Sequence, residues 1–235
     1  MFGRQKIAML VAEFLGTATL TAAVYSMAVR TSFPFFSGAA AALTIGLMVM
    51  LVDRASGAHI NPAVTLGLWT IRKIDTLKAI AYIAAQLVGA LAAWRLMEYL
   101  MDSPLKNIAG KNVDWRVMVA EGVGALVFGW GVAVAVDRAY TTAQKAAVLG
   151  VSFFVGVQIA AFASNGVVNP AVAVGIRSWN VSYIVAPLVG AIVGMNLYSL
   201  VFAEKTAKRA SSTSSASSSR KTAASKAKKT TKRKK

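Results

Sequence analysis

Cysteine is absent from all 235 residues, and histidine occurs once, at His59. The first absence excludes disulfides, thiol catalysis and thiolate metal sites. The second leaves no histidine cluster and no His-carboxylate pair on which hydrolytic or metal chemistry could be built. No nucleophile motif is present either, so the expectation is a protein that is not an enzyme and carries no cofactor and no metal. Acidic residues are scarce as well: nine Asp and Glu stand against 26 Lys and Arg, for a formal charge of +17. Charged residues of both signs make up only 15% of the chain while 56% of it is hydrophobic. One soluble domain of this length would need far more polar surface.

What the chain does have is apolar length. Six stretches stand out: Ile7–Val29, Phe36–Val52, Ala79–Met101, Arg116–Val136, Lys145–Ala163 and Val181–Ala203. Each matches the roughly 17–25 helical residues that cross a ~30 Å hydrocarbon core. The first is too long for a signal-peptide core and lacks a convincing cleavage site, so it reads as a membrane anchor. The pattern is that of an all-α, multi-pass membrane protein.

The positive charge is unevenly placed. Residues 1–203 hold 14 basic and 8 acidic residues, whereas 204–235 hold 12 basic residues and only Glu204. That last segment is Lys, Ser, Thr and Ala with almost nothing large and apolar to bury. It is therefore expected to be a disordered tail held near anionic lipid headgroups. A nucleic-acid partner is disfavoured, because no folded reading module accompanies the tail. In the short loops, Arg4, Lys6, Arg54, Arg72, Lys73, Lys78, Arg138 and Lys145 fall on the side of the termini. Arg30, Lys106, Lys111, Arg116 and Arg177 fall on the other. This bias predicts cytoplasmic termini, and the plasma membrane is the expected location.

The chain also repeats itself. "AEFLGT" at Ala12–Thr17 returns as "AEGVGA" at Ala120–Ala125, and "SGAHINPAVTLG" at Ser56–Gly67 is echoed by "NGVVNPAVAVG" at Asn165–Gly175. Glu13 and Glu121, Gly16 and Gly124, Asn61 and Asn169, Pro62 and Pro170, and Gly67 and Gly175 are each 108 residues apart. Later, "LVGA" at Leu87 returns at Leu188 with the offset reduced to 101, so seven residues are missing after the second Asn-Pro. The repeats cover about 7–101 and 116–203 of a single domain, 1–203. Each holds three crossings, an odd number, so the second copy must enter from the opposite side as an inverted repeat.

Asn is a favoured helix N-cap and Pro a favoured first helical residue, so each Asn-Pro marks a helix start. Pro62–Thr70 and Pro170–Ser178 are nine residues each, roughly 13 Å of helix at 1.5 Å per residue and too short to span. They are expected to dip in from opposite faces as re-entrant half-helices. Asn61 and Asn169 would then meet near the middle with two positive helix ends behind them. Glu13 and Glu121 sit inside apolar segments, where a carboxyl is costly without partners. They read either as a proton relay or as acceptors for the loop backbone before each half-helix, and their paired placement favours the second.

The doubled Asn-Pro-Ala (Asn61, Pro62, Ala63 and Asn169, Pro170, Ala171), the "SGAH" before the first copy, "AEFLGT" and "AQLVGA" together resemble the aquaporin, or major intrinsic protein, family over residues 7–203. The resemblance implies six tilted helices and two half-helices around one narrow pore per subunit, usually in a homotetramer. It implies passive passage of water or small neutral solutes, with the two Asn-Pro-Ala motifs in the pore and His59 on its wall; a pH-sensitive gate at His59 is the alternative. It also places a selectivity filter at Ala41, Val157, Gly166 and Val172. There the sequence departs from the family, which has an Arg in place of Val172 and, in many members, an aromatic at Ala41 and a His at Val157. The Asp that follows in glycerol facilitators is missing too. These departures predict a wide, apolar constriction and leave water, glycerol, urea and ammonia all open as substrates. Two other readings remain: a secondary transporter built on the same kind of inverted repeat, and a membrane tether whose working part is the basic tail.

Overall fold

The computed structural model describes residues 3–31, 34–110 and 112–203; the basic segment 204–235, with its expected disorder and lipid contact, lies outside the described residues. Among the described residues the chain is helical and has no strand. Six helices are long and apolar enough to cross a membrane: α1 (Arg4–Ala28), α2 (Pro34–Ser56), α4 (Thr76–Met101), α5 (Trp115–Asp137), α6 (Thr142–Ala160) and α8 (Val181–Val201). Two are short, α3 (Pro62–Thr70) and α7 (Pro170–Gly175). With six crossings, α1 begins and α8 ends on the same face, called here the terminal face; the connection 102–114 lies on the far face.

Polar caps set the helix ends where hydropathy alone misplaces them. Asp75 accepts from Lys78 N–H at the start of α4, and Asp114 caps α5. A reciprocal Thr141–Gln144 capping box starts α6 three residues before the apolar run does. At its other end α6 stops at Ala160 and not Ala163, because the next residues turn inward as the approach to α7. α2 continues through Asp53 and Arg54 to Ser56, carrying two charged residues past the apolar segment.

The repeats pack in matching ways. On α4, Gly89 lies so close to the Phe14 carbonyl of α1 that no side chain would fit. Its counterpart on α8, Gly190, lies equally close to the Gly122 carbonyl of α5. The half-helices then exchange partners. Gly67 of α3 packs on Met195 and on the Ala191 carbonyl of α8, in the second repeat. Gly175 of α7 packs on Thr21 and on the Ala90 carbonyl of α4, in the first. Ala90 and Ala191 are the last residues of the two "LVGA" copies, so each repeat completes the other and neither has a closed core alone.

One expected boundary is corrected. α3 has the nine residues anticipated, but α7 ends at Gly175 and not at Ser178. Both helices close in the same way. Arg72 and Arg177 are left-handed (φ 59° and 60°), and the next N–H in each case reaches back to a carbonyl five residues earlier. Between the second glycine and that turn, three residues are missing compared with the first copy. The other four of the seven lost residues come off the start of α8, which reaches Leu188 one turn sooner than α4 reaches Leu87.

Candidate functional site

The two approaches to the half-helices share an unusual backbone. Ala58 and Ile60 are left-handed (φ 50° and 42°), and so are their counterparts Gly166 and Val168 (φ 62° and 54°). A β-branched residue in that region is disfavoured by about 1–2 kcal/mol. Here the conformation is held from both sides. Glu13 accepts the His59 and Ile60 N–H groups on its two oxygens at 3.0 and 2.7 Å. Glu121 accepts those of Val167 and Val168 at 2.9 and 2.7 Å. Ser164 Oγ donates to Glu121 at 2.7 Å and accepts the Gly166 N–H; Ser56 Oγ accepts the Ala58 N–H in the same way. Both carboxyls are fully buried.

The carbonyls of the same two residues point at the opposite repeat. Asn61 Nδ2 donates to Val168 O at 3.1 Å, and Asn169 Nδ2 donates to Ile60 O at 3.0 Å. Each Asn oxygen meanwhile accepts from its own half-helix, Ala63 N–H in α3 and the Ala171 and Val172 N–H groups in α7. An amide has two N–H bonds and an oxygen. With the oxygen and one N–H fixed, each Asn has a single N–H left, and both residues line one cavity. The half-helix starts thus meet back to back, braced by two crossed hydrogen bonds that sequence spacing gave no sign of.

That cavity holds about 320 Å³ and runs from the terminal face to the two Asn side chains. Its walls are apolar (Leu20, Ile45, Val64, Phe128, Val132) apart from His59, the Asn pair, and Asp53 and Lys145 at its mouth. His59 Nδ1 is held at 3.1 Å by Thr65 Oγ1, which also accepts Gln86 Nε2, and Gln86 Nε2 in turn donates to Glu13. The second repeat has Val167, Ala173 and Pro187 where these three polar residues stand, so the chain from Glu13 to the cavity has no counterpart there. Gln86 was visible only within the AQLVGA stretch that resembles the family, and nothing in the sequence marked Thr65 or Ser164.

Beyond the Asn pair, toward the far face, lie the four positions assigned to a filter. Ala41, Val157 and Val172 are 1%, 2% and 1% exposed, and Gly166 is buried. These residues are apolar and closely packed. A Cβ on Gly166 would stand 3.0 Å from Val157 O and 3.3 Å from Val157 Cγ1. The missing side chain therefore lets the loop pack closely on α6. Arg177, at the outer end of α7, is half-buried with its guanidinium 4.6 Å from the Trp94 ring of α4.

The major intrinsic protein family model matches residues 3–114 and 108–229. The chain belongs to that family. Aquaporin Z of Photorhabdus laumondii is 29% identical over 226 residues, which cover 83% of this chain and 98% of that protein. Aquaporin-1 of Rattus norvegicus is 30% identical over 70% of this chain and 66% of its own length. Among solved structures, the aquaglyceroporin of Plasmodium falciparum superposes with a TM-score of 0.64 at 19% identity, covering 84% of this chain and 96% of that one. Major intrinsic proteins are integral, multi-pass membrane channels and not enzymes, and they generally assemble as tetramers. This chain is such a channel protein.

Proposed function

We propose that the chain conducts water and small uncharged solutes along the cavity, between Asn61 and Asn169, and out through Ala41, Val157, Gly166 and Val172. The observation that carries this reading is the pair of braced Asn side chains. Each offers one remaining N–H at the N-terminal end of a half-helix, inside an otherwise apolar passage. Two fixed donors replace part of a permeant's hydration, and two positive helix ends oppose cations. With no fixed cation at Val172, the barrier to ions rests on those ends. The buried carboxyls support a channel over a coupled transporter, because both oxygens of Glu13 and of Glu121 are engaged with loop donors.

The close apolar packing favours small permeants. A polyol must shed several hydrogen bonds to pass walls that return none, whereas water and ammonia shed few. The proposed ranking is water and ammonia ahead of urea and glycerol, in a homotetramer whose termini face the cytoplasm across the plasma membrane. Stopped-flow light scattering on proteoliposomes, with the four permeants compared in one preparation, tests it. Faster glycerol than water permeation would overturn the ranking, and solute flux driven by a proton or sodium gradient would overturn the channel reading.

A further inference from the structure

Two ionised side chains line the conduction cavity, and they face each other. Asp53, on the last turn of α2, and Lys145, on the first turn of α6, bring Oδ2 and Nζ to 3.3 Å at the terminal-side mouth. The pair is only partly exposed, 19% for the Asp53 side chain and 30% for that of Lys145. Of the other charges near that face, Asp137 accepts from Tyr198 Oη at 3.0 Å and Lys78 lies over the Tyr82 ring, and Arg54, Arg72 and Lys73 are not among the residues lining the cavity. Neither Asp53 nor Lys145 belongs to a repeated motif; Asp53 lies where the second repeat has Ala161.

We propose that the Asp53–Lys145 pair is a specificity-determining element of the channel, holding the terminal-side mouth at zero net charge. It rests on the conduction reading above. A single ion pair that still reaches solvent contributes modestly to stability, so stapling α2 to α6 is a weak reason for placing two charges in an apolar vestibule. Their electrostatic effect is larger. An unpaired carboxylate there would concentrate cations in front of the Asn pair, and an unpaired ammonium would concentrate anions, against half-helix ends that repel only the cations. Paired, they present a wettable but neutral entrance.

The absence of cysteine makes the local potential measurable. Leu149 lines the same cavity one helical turn deeper than Lys145, so Leu149→Cys supplies a single reporter thiol. Val136→Cys, on the facing helix α5 and already 40% exposed, serves as a second. The readout is the ratio of modification rates by cationic and anionic methanethiosulfonates in proteoliposomes, with water flux followed in parallel. Lys145→Met should raise the cation-to-anion ratio by about tenfold, and Asp53→Asn should lower it by a similar factor. That is the effect of a unit charge ~10 Å away on two reagents of opposite charge at an effective dielectric of about 50. The exchanged pair, Asp53→Lys with Lys145→Asp, should return the ratio close to the parent's. A merely structural staple predicts no such opposition, so ratios that stay put, or move the same way in both single variants, overturn the assignment. Thiol modification that leaves water flux intact overturns the conduction reading itself. Loss of flux with unshifted ratios overturns only the role of the ion pair.

Discussion

Asn169 does three things with one amide: it caps α7 through Oδ1, braces the opposite loop through one N–H to Ile60 O, and keeps the other N–H for the cavity. Asn169→Asp, and likewise Asn61→Asp, removes the last two at once and sets a carboxylate oxygen against a carbonyl. Sodium and proton leak should rise while water flux falls, and thermal stability of the solubilised protein should drop by about 1–3 kcal/mol for the broken buried bond. Intact ion exclusion in both variants would place the Asn pair off the pathway. Glu121→Gln offers an N–H₂ group where the loop presents donors. The cost is about 1–3 kcal/mol for each donor left without an acceptor, and the Gly166–Val168 segment, left-handed at its two ends, should lose its protection in hydrogen exchange. Protection equal to the parent's would show that the carboxyl does not hold the loop. Gly166 looks from the sequence like the place for a thiol probe in the passage. Its φ of 62° and the Val157 carbonyl 3.0 Å from a would-be Cβ make it a poor one, which is why Leu149 is preferred.

Among the helices, the glycines at crossings carry the fold. Gly194 of α8 sits against the Leu126 carbonyl of α5, too close for any side chain, and the same helix bears Met195, on which Gly67 of α3 rests. Gly194→Val should push α8 from α5 and loosen α3 with it. The expected result is loss of the discrete oligomer on size exclusion in mild detergent, whereas Gly110→Val, with open space around it, should leave the profile unchanged. A discrete oligomer from the Gly194 variant would show that the α5–α8 crossing can spread without consequence. Helix starts were legible at Asn61 and Asn169, where an Asn-Pro pair announces them, and were missed at Thr141, whose cap precedes the apolar run by three residues. Helix lengths were less legible. The shortening of α7 could not be placed from an offset of seven residues, because that loss is shared between the half-helix and the first turn of α8.

For the whole molecule, the proposed filter draws its groups from different helices and loops. Val172→Arg puts a guanidinium into a position 1% exposed, where burial without partners costs several kcal/mol, so oligomer size must be checked first. In a folded variant, ammonia flux should fall several-fold and water flux less. An unchanged ranking would move the filter away from Val172. Deleting 206–235 removes eleven of the twelve basic residues of the final segment. It should weaken binding to anionic vesicles while leaving water flux per channel intact; abolished flux at normal abundance would give the tail a part in conduction.

The sequence by itself determined that this chain crosses a membrane six times, that its halves are inverted copies, and that two Asn-Pro helix starts lie in its interior. Those properties follow from hydrophobic length, from an odd number of spans per repeat, and from local capping chemistry. They depend on neighbours along the chain. Only the tertiary structure decided that each Asn is tied to the other repeat's backbone, that Gly67 and Gly175 rest on the opposite repeats' helices, that Gly166 packs closely on α6, and that Asp53 meets Lys145 at a mouth. Each of these joins residues 85 to 154 positions apart or depends on a left-handed turn. A pattern of spacings carries no distance between such residues until the helices are packed.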